Sequence, residues 1–394
     1  MYSEEDINSA VSAGAISAEA AASFRDHMSR VRALPRQSEE NFRLINSFND
    51  IFVAIGIVIL LLAVGAIGQT VGDLAAPKLP FPDCDWSQGP RPSDNPEWLA
   101  YSAAKDFNDW IRMLFAGAFV AVTAWPLSEF FTRKRRMALP SILLLLAFVG
   151  GVFFAVFGAG AALGTNGEEL AGALAVTFAG VVAAGAAFIH WRQFQVPITV
   201  AAAVGVAVIS LLIALVGIAQ LDARDPAFLI PVLIAGLAVF AFAMRWDISD
   251  RERITRHSDV AFWLHLLAAP LIAHPVFALI GITEGDNIGI GAAFGVLAIY
   301  VAFGLLALAV DRRALLVSAL AYVLFALTFL FRQFGAVELN FALTALVIGS
   351  ALLSLSAFWQ TIRAAVVNAL PEGIRAKLPP TDAVPTLTTP SSAA

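Results

Sequence analysis

Ten apolar stretches run along this chain, each near the length of roughly 20 residues that a helix needs to cross a hydrocarbon core about 30 Å thick. They lie near 51–68, 110–131, 138–163, 170–189, 197–219, 227–244, 260–282, 288–310, 314–331 and 341–358. A soluble fold of 394 residues could not hide that much apolar surface. With 59% apolar and 14% charged residues, the chain departs far from soluble averages of about 45–50% and about 25%. The expected fold is all-α: a polytopic transmembrane bundle of about ten helices.

Orientation follows from where the basic residues fall, because loops rich in Lys and Arg stay in the cytoplasm. With the N-terminus inside, the even-numbered spans exit into Arg133-Lys134-Arg135-Arg136, His190-Trp191-Arg192, Arg245 through Arg256, and Asp311-Arg312-Arg313. The opposite exits carry Glu168-Glu169, Asp222-Ala223-Arg224-Asp225 and Glu284-Gly285-Asp286. Counting both tails, 19 of the 25 basic residues fall inside. The reading therefore places both termini in the cytoplasm of a bacterial cell and the bundle in its inner membrane. The opening Ser3-Glu4-Glu5-Asp6 lacks the basic start and apolar core of a cleaved signal peptide, so the first span is expected to act as an uncleaved anchor.

Residues 1–46 read as a small cytoplasmic helical hairpin. Ser3 and Asp6 suit a capping box, Ile7, Ala10 and Val11 form a short apolar stripe, and Gly14 can close the helix in a left-handed conformation. Ser17 then caps a second helix with Phe24, Met28 and Val31 along one side. The run Ala13-Gly14-Ala15-Ile16-Ser17-Ala18-Glu19 comes before an amphipathic helix, a polar spacer and an apolar span. Together with Glu40-Asn41-Phe42-Arg43-Leu44-Ile45-Asn46 it resembles bacterial membrane proteins of the domain-of-unknown-function 2157 family. The likeness covers about the first third of the chain. No activity is established for that family, so the resemblance implies no catalytic residues here.

The remaining organisation reads as 47–131, the first two spans with an external loop at 69–108; 132–259 and 260–360, two four-helix units; and 361–394, a cytoplasmic interfacial helix and, from about 379, a disordered tail rich in Pro, Thr and Ser. The external loop closes in an amphipathic piece whose Trp98, Tyr101, Phe107 and Trp110 suit the headgroup level. The two units share span lengths, loop charge and a closing Trp at an offset of roughly 113–122 residues, as parallel repeats would. After the tenth span, Ile362, Val366 and Leu370 suit a helix lying on the inner leaflet, ended by Pro371. Cys84 is the only cysteine. It excludes a disulfide within the chain and reads as a free loop thiol, with a bridge to a second copy or partner as the alternative.

Ionisable residues inside a span are costly and mark function by default. The strongest are His265 and His274 on the seventh span, beside Pro270 and Pro275. Each proline lacks an N–H and frees a carbonyl, of Leu266 or of Leu271, that only protein or water can satisfy at membrane depth. Histidine titrates near neutral pH, which suits proton coupling; equally, neutral histidines bond neighbouring helices and prolines simply kink spans. Glu129 stands four residues before Arg133, which suits a surface pair more than catalysis. Asp109 and Arg112 read the same way. Arg332 can snorkel to headgroups, meet Glu338, or hold an anion. Glycines such as Gly150-Gly151, Gly158 and Gly180 permit close helix packing.

No glycine run follows a strand, and no His/Cys metal spacing or nucleophile–base set occurs. No catalytic role, cofactor, metal or nucleic-acid partner is expected. The leading expectation is an uncharacterised membrane protein of transport-like architecture, its path passing His265 and His274. The alternative is a scaffold or sensor that recruits partners through its cytoplasmic hairpin and external loop. The partners this admits, besides the bilayer, are a small molecule or ion and a second copy of the chain.

Overall fold

A computed structural model describes residues 4–33, 48–78, 96–164, 169–219, 225–253, 255–279, 290–333 and 339–381. These fold as α1 (Glu4–Ser12), α2 (Ala18–Ala33), α3 (Phe48–Ala75), α4 (Pro96–Ser128), α5 (Ala138–Gly164), α6 (Glu169–Phe194) and α7 (Ile198–Ala219). Then follow α8 (Leu229–Ser249), α9 (Arg256–Leu279), α10 (Ile290–Val310), α11 (Ala314–Gln333), α12 (Asn340–Ala357), α13 (Trp359–Asn368) and α14 (Glu372–Arg375). Among the described residues, nine helices are long and apolar enough to cross a bilayer, and α12 with α13 forms a tenth candidate bent by 74°. The chain is thus a multi-pass membrane protein with an all-α fold. Large apolar side chains such as Phe52, Leu62 and Val122 point outward. Lipid covers such surface; water would not.

Gly14 at φ 70° ends α1, and the N–H of Ala20 bonds the Ser17 hydroxyl at 3.0 Å to cap α2. Arg25 donates to Asn8 at 2.6 Å and ties the two helices together. The side chains of Met28 and Val31, and Cys84 and Glu338 entirely, lie outside the described residues.

The stretch 69–108 between the first two spans is helical at both ends. Residues 69–75 belong to α3, and the amphipathic piece from Trp98 to Trp110 is one helix with the second span. Nothing between Trp98 and Trp110 breaks a helix, and Lys105 pairs with Asp109 one turn on at 2.6 Å. The extension is also packed: Arg112 reaches Asp73 at 3.3 Å, and Asn108 donates to the Pro77 carbonyl at 2.9 Å.

Lipid tails are as apolar as leucine, so these helices associate through close contact of small residues rather than by excluding water. A Cβ on Gly117 would stand 2.5 Å from the Gly151 carbonyl and 2.6 Å from the Ala155 nitrogen; one on Gly158 would stand 2.6 Å from the Trp110 carbonyl. Gly68 and Gly72 meet the backbone of α4 in the same way. Three helices, α3, α4 and α5, are therefore fastened backbone to backbone. Gly117→Val is expected to lower stability by about 1–3 kcal/mol or more, since the opposing atoms are backbone and cannot swing away. Gly150→Ala is the matched control, because nothing lies within 4 Å of that Cβ. Thermal unfolding of the detergent-solubilised protein compares the two; equal melting temperatures would refute the crossing.

The other half gathers round α9, which packs against α7, α8 and α11 and buries 56% of its apolar window. α9 runs unbroken through Pro270 and Pro275. The carbonyl of Leu271, freed by Pro275, is covered by α8: a Cβ on Gly236 would lie 2.8 Å from that oxygen.

Four connections lie at one end of the bundle, called here the basic end: α4–α5, α6–α7, α8–α9 and α10–α11. Each contains one non-glycine residue in the left-handed region, namely Arg136, Gln195, Arg253 and Asp311, recurring every 58–59 residues. The residue after a left-handed helix cap normally makes an apolar contact back onto its helix. Met137 and Val196 occupy that place and are buried. In the fourth turn that place is taken by Arg312, which is also buried.

Candidate functional site

An arginine tucked into a membrane-spanning bundle must find a partner, since an unpaired buried charge costs several kcal/mol. Asp311 adopts φ 59°, a conformation aspartate tolerates better than most residues. The Arg312 N–H closes the turn onto the Ala307 carbonyl at 2.9 Å, and the side chain turns inward. Its Nη2 meets Asp247 Oδ1 at 2.6 Å and donates to the Ser258 carbonyl at 2.9 Å. The other Asp247 oxygen lies 2.8 Å from His265 Nε2. Asp247, His265 and Arg312 are exposed by 2%, 1% and 3%. Phe240 packs its ring edgewise on the imidazole, at 5.1 Å between centroids. Asp247 sits in the last turn of α8, where the helix dipole disfavours an anion. Arg312 and His265 supply what that position lacks.

A second cluster adjoins the first through Asp311. Arg253 Nη1 reaches Asp311 Oδ2 at 2.8 Å, and its Nη2 donates to the carbonyls of Val310 and Asp311 at 3.2 and 3.1 Å. Trp359 Nε1 donates to Asp311 Oδ1 at 2.7 Å, and Arg363 stands 3.5 Å from the same oxygen. Burial, with Arg312 close by, pushes the Arg253 guanidinium below its ordinary pKa, and Asp311 opposes that shift. The chain beyond α13 is drawn in as well. Arg363 donates to the carbonyls of Pro379 at 2.7 Å and Pro380 at 3.2 Å, and Arg251 donates to that of Leu378 at 3.0 Å. Arg313 lies over the Trp359 ring at 4.7 Å. One ionic seam thus joins α8, α9, the α10–α11 turn, α13 and the segment 378–380.

Of the residues singled out from sequence, His265 lies in this seam and His274 does not. Nine residues further along α9, about 13 Å, His274 is exposed, with Nδ1 2.7 Å from the Tyr322 hydroxyl. Pro275 is buried and Pro270 exposed. Glu129 sits in a π-helical turn, Glu129–Lys134, that follows Pro126. It pairs with Arg133 at 3.2 Å and accepts from Gln193 at 2.6 Å, joining the ends of α4 and α6. Arg332 is exposed at the far end of α11.

Sequence reasoning missed Asp247, Arg312, Asp311 and Arg363 as a group, because each reads as an ordinary loop or interfacial charge. It also took His190 for part of a basic loop. In the structure His190 is fully buried among Trp125, Phe148 and Phe194, with neither ring nitrogen hydrogen-bonded. Among the described residues no group of three or more His, Cys, Asp or Glu side chains is arranged to hold a metal ion.

Fold and site together define a polytopic α-helical membrane protein whose basic end is closed by a buried ionic seam. No protein-family model matches the chain, and neither does any curated protein or solved structure.

Proposed function

We propose that this chain is a non-transporting scaffold or sensor of a bacterial inner membrane, with both termini and the basic end in the cytoplasm, and a relative of the domain-of-unknown-function 2157 proteins that its N-terminal third resembles. The observation that carries the reading is the state of His265. It is the side chain best suited to move a proton, yet it is sealed at 1% exposure, with its Nε2 held by Asp247. That same seam fastens the C-terminal segment to α8 and α9. Such a site registers whether a cytoplasmic segment is docked; it does not pass a solute. A cavity of about 640 Å³ does open between α3, α4 and α5, but neither His265 nor His274 lines it.

One observation favours the transport reading instead: the exposed His274–Tyr322 pair places two titratable groups together in the spanning part of the bundle. Proteoliposomes loaded with a pH-sensitive dye separate the readings. Under an imposed potential, the scaffold reading expects proton entry no faster than in protein-free vesicles and unchanged by His274→Ala. Faster entry in wild type, lost in that variant, overturns it. Reporter fusions after Arg135 and after Gly167 are expected to report opposite sides, with Arg135 cytoplasmic.

A further inference from the structure

The cavity between α3, α4 and α5 has the form of an amphiphile site. Gly117 and Gly151 bring α4 and α5 into backbone contact, and Gly150, one position round the helix, faces open space. The hollow extends along α4 from Arg112 to Val120, about 12 Å at 1.5 Å per residue, close to half a bilayer core. The exposed side chains of Leu146 and Phe154 form its lips. Its volume of about 640 Å³ lies within the roughly 300–1,000 Å³ of small-molecule sites. The walls are apolar, so water has no partners along most of its length.

The end away from the basic end is polar. Gln69, Asp109 and Arg112 line it. Asp73 stands 3.3 Å and Asp109 3.6 Å from the Arg112 guanidinium, and Lys105 meets Asp109 at 2.6 Å. These four charged side chains sum to zero and are each 41–58% exposed. They present both signs of charge to whatever occupies the headgroup level.

We infer that this groove holds one acyl chain of a zwitterionic membrane phospholipid. Arg112 and Lys105 face its phosphate, and Asp73 and Asp109 face its ammonium. The bilayer supplies the occupant. Because a lipid tail is no more soluble in the groove than among other tails, preference for one lipid comes from the headgroup contacts and the fit of the tail. Two cations and two carboxylates can answer both charges of a phosphoethanolamine head, whereas an anionic head with no cationic group uses Arg112 and Lys105 alone and gains nothing from Asp73 and Asp109.

Native mass spectrometry of the full chain, released from nanodiscs of equal phosphatidylethanolamine and phosphatidylglycerol, tests the inference. Wild type is expected to retain one phosphatidylethanolamine in clear excess. Gly150→Leu, which fills the groove from a position with no contact within 4 Å, is expected to lose it at unchanged melting temperature. Arg112→Gln is expected to keep a lipid but lose the preference. Equal retention of both lipids in wild type, or full retention in Gly150→Leu, overturns the site and leaves annular lipid only. A wild-type dimer that Gly150→Leu dissociates makes a second copy the occupant and overturns it too. Should Gly150→Leu misfold, Leu146→Trp at the lip narrows the same opening, and undiminished retention there is equally fatal.

Discussion

Arg312→Ala is expected to cost about 3–5 kcal/mol of stability, because Asp247, exposed by 2%, then loses its ion-pair partner and keeps His265 alone of its two side-chain partners. The loss should appear as a steep fall in the melting temperature of the solubilised protein and in the fraction recovered as a single dispersed species. A compensating pair makes the prediction specific. Asp247→Asn combined with Arg312→Met removes both charges and keeps the volume, and buried ion pairs replaced in this way are often neutral. Most of the stability should return in the double variant. If the double variant is as weak as the two single losses added together, the two residues act independently and the seam is not a unit.

Asp311→Ala is expected to have a comparable effect by a different route. The carboxylate takes Arg253 at 2.8 Å and the Trp359 indole at 2.7 Å, with Arg363 at 3.5 Å, so its removal leaves two guanidinium groups without their counter-charge and an indole N–H without its acceptor. The estimate is again about 3–5 kcal/mol, but the damage should be local first. α13 and the segment at 378–380 should detach before the bundle opens. Trypsin should therefore cut at Arg375 and Lys377 much faster in Asp311→Ala than in wild type, under conditions where the spans stay intact. Arg251→Ala removes only the bond to the Leu378 carbonyl and should cost about 0.5–1.5 kcal/mol. Equal cleavage in wild type and Asp311→Ala would show that the segment is held by something else.

The spans were legible in the sequence because their signal is length and composition, which need no knowledge of neighbours. A helix after α12 was legible from the helical spacing of Ile362, Val366 and Leu370, and the structure has α13 there; the 74° bend between the two was not. The start of α4 was not. Tryptophans and charges from Trp98 to Trp110 look like an interfacial loop by composition, while the unbroken hydrogen-bonded ladder depends on packing against Gly72 and Asp73 of α3. His265 stood out as a charge-bearing side chain within an apolar run. Its partners did not, because Asp247 and Arg312 lie 65 residues apart and each borders a loop already rich in charge. One local clue existed. The residues after Arg136 and Gln195 are Met137 and Val196, whereas an arginine follows Asp311, and a charge where neighbouring turns carry an apolar anchor asks for a buried counterion.

The seam also has an order in time. A ribosome delivers Asp247, Arg253 and His265 first, then Asp311 and Arg312, and last of the seam Trp359, Arg363 and the carbonyls at 378–380. A nascent chain that stops short of α13 leaves Asp311 with Arg253 as its one side-chain partner in the seam. Closure of the last bonds therefore waits for α13 and residues 378–380, and a product truncated before them offers quality-control proteases a loose basic end.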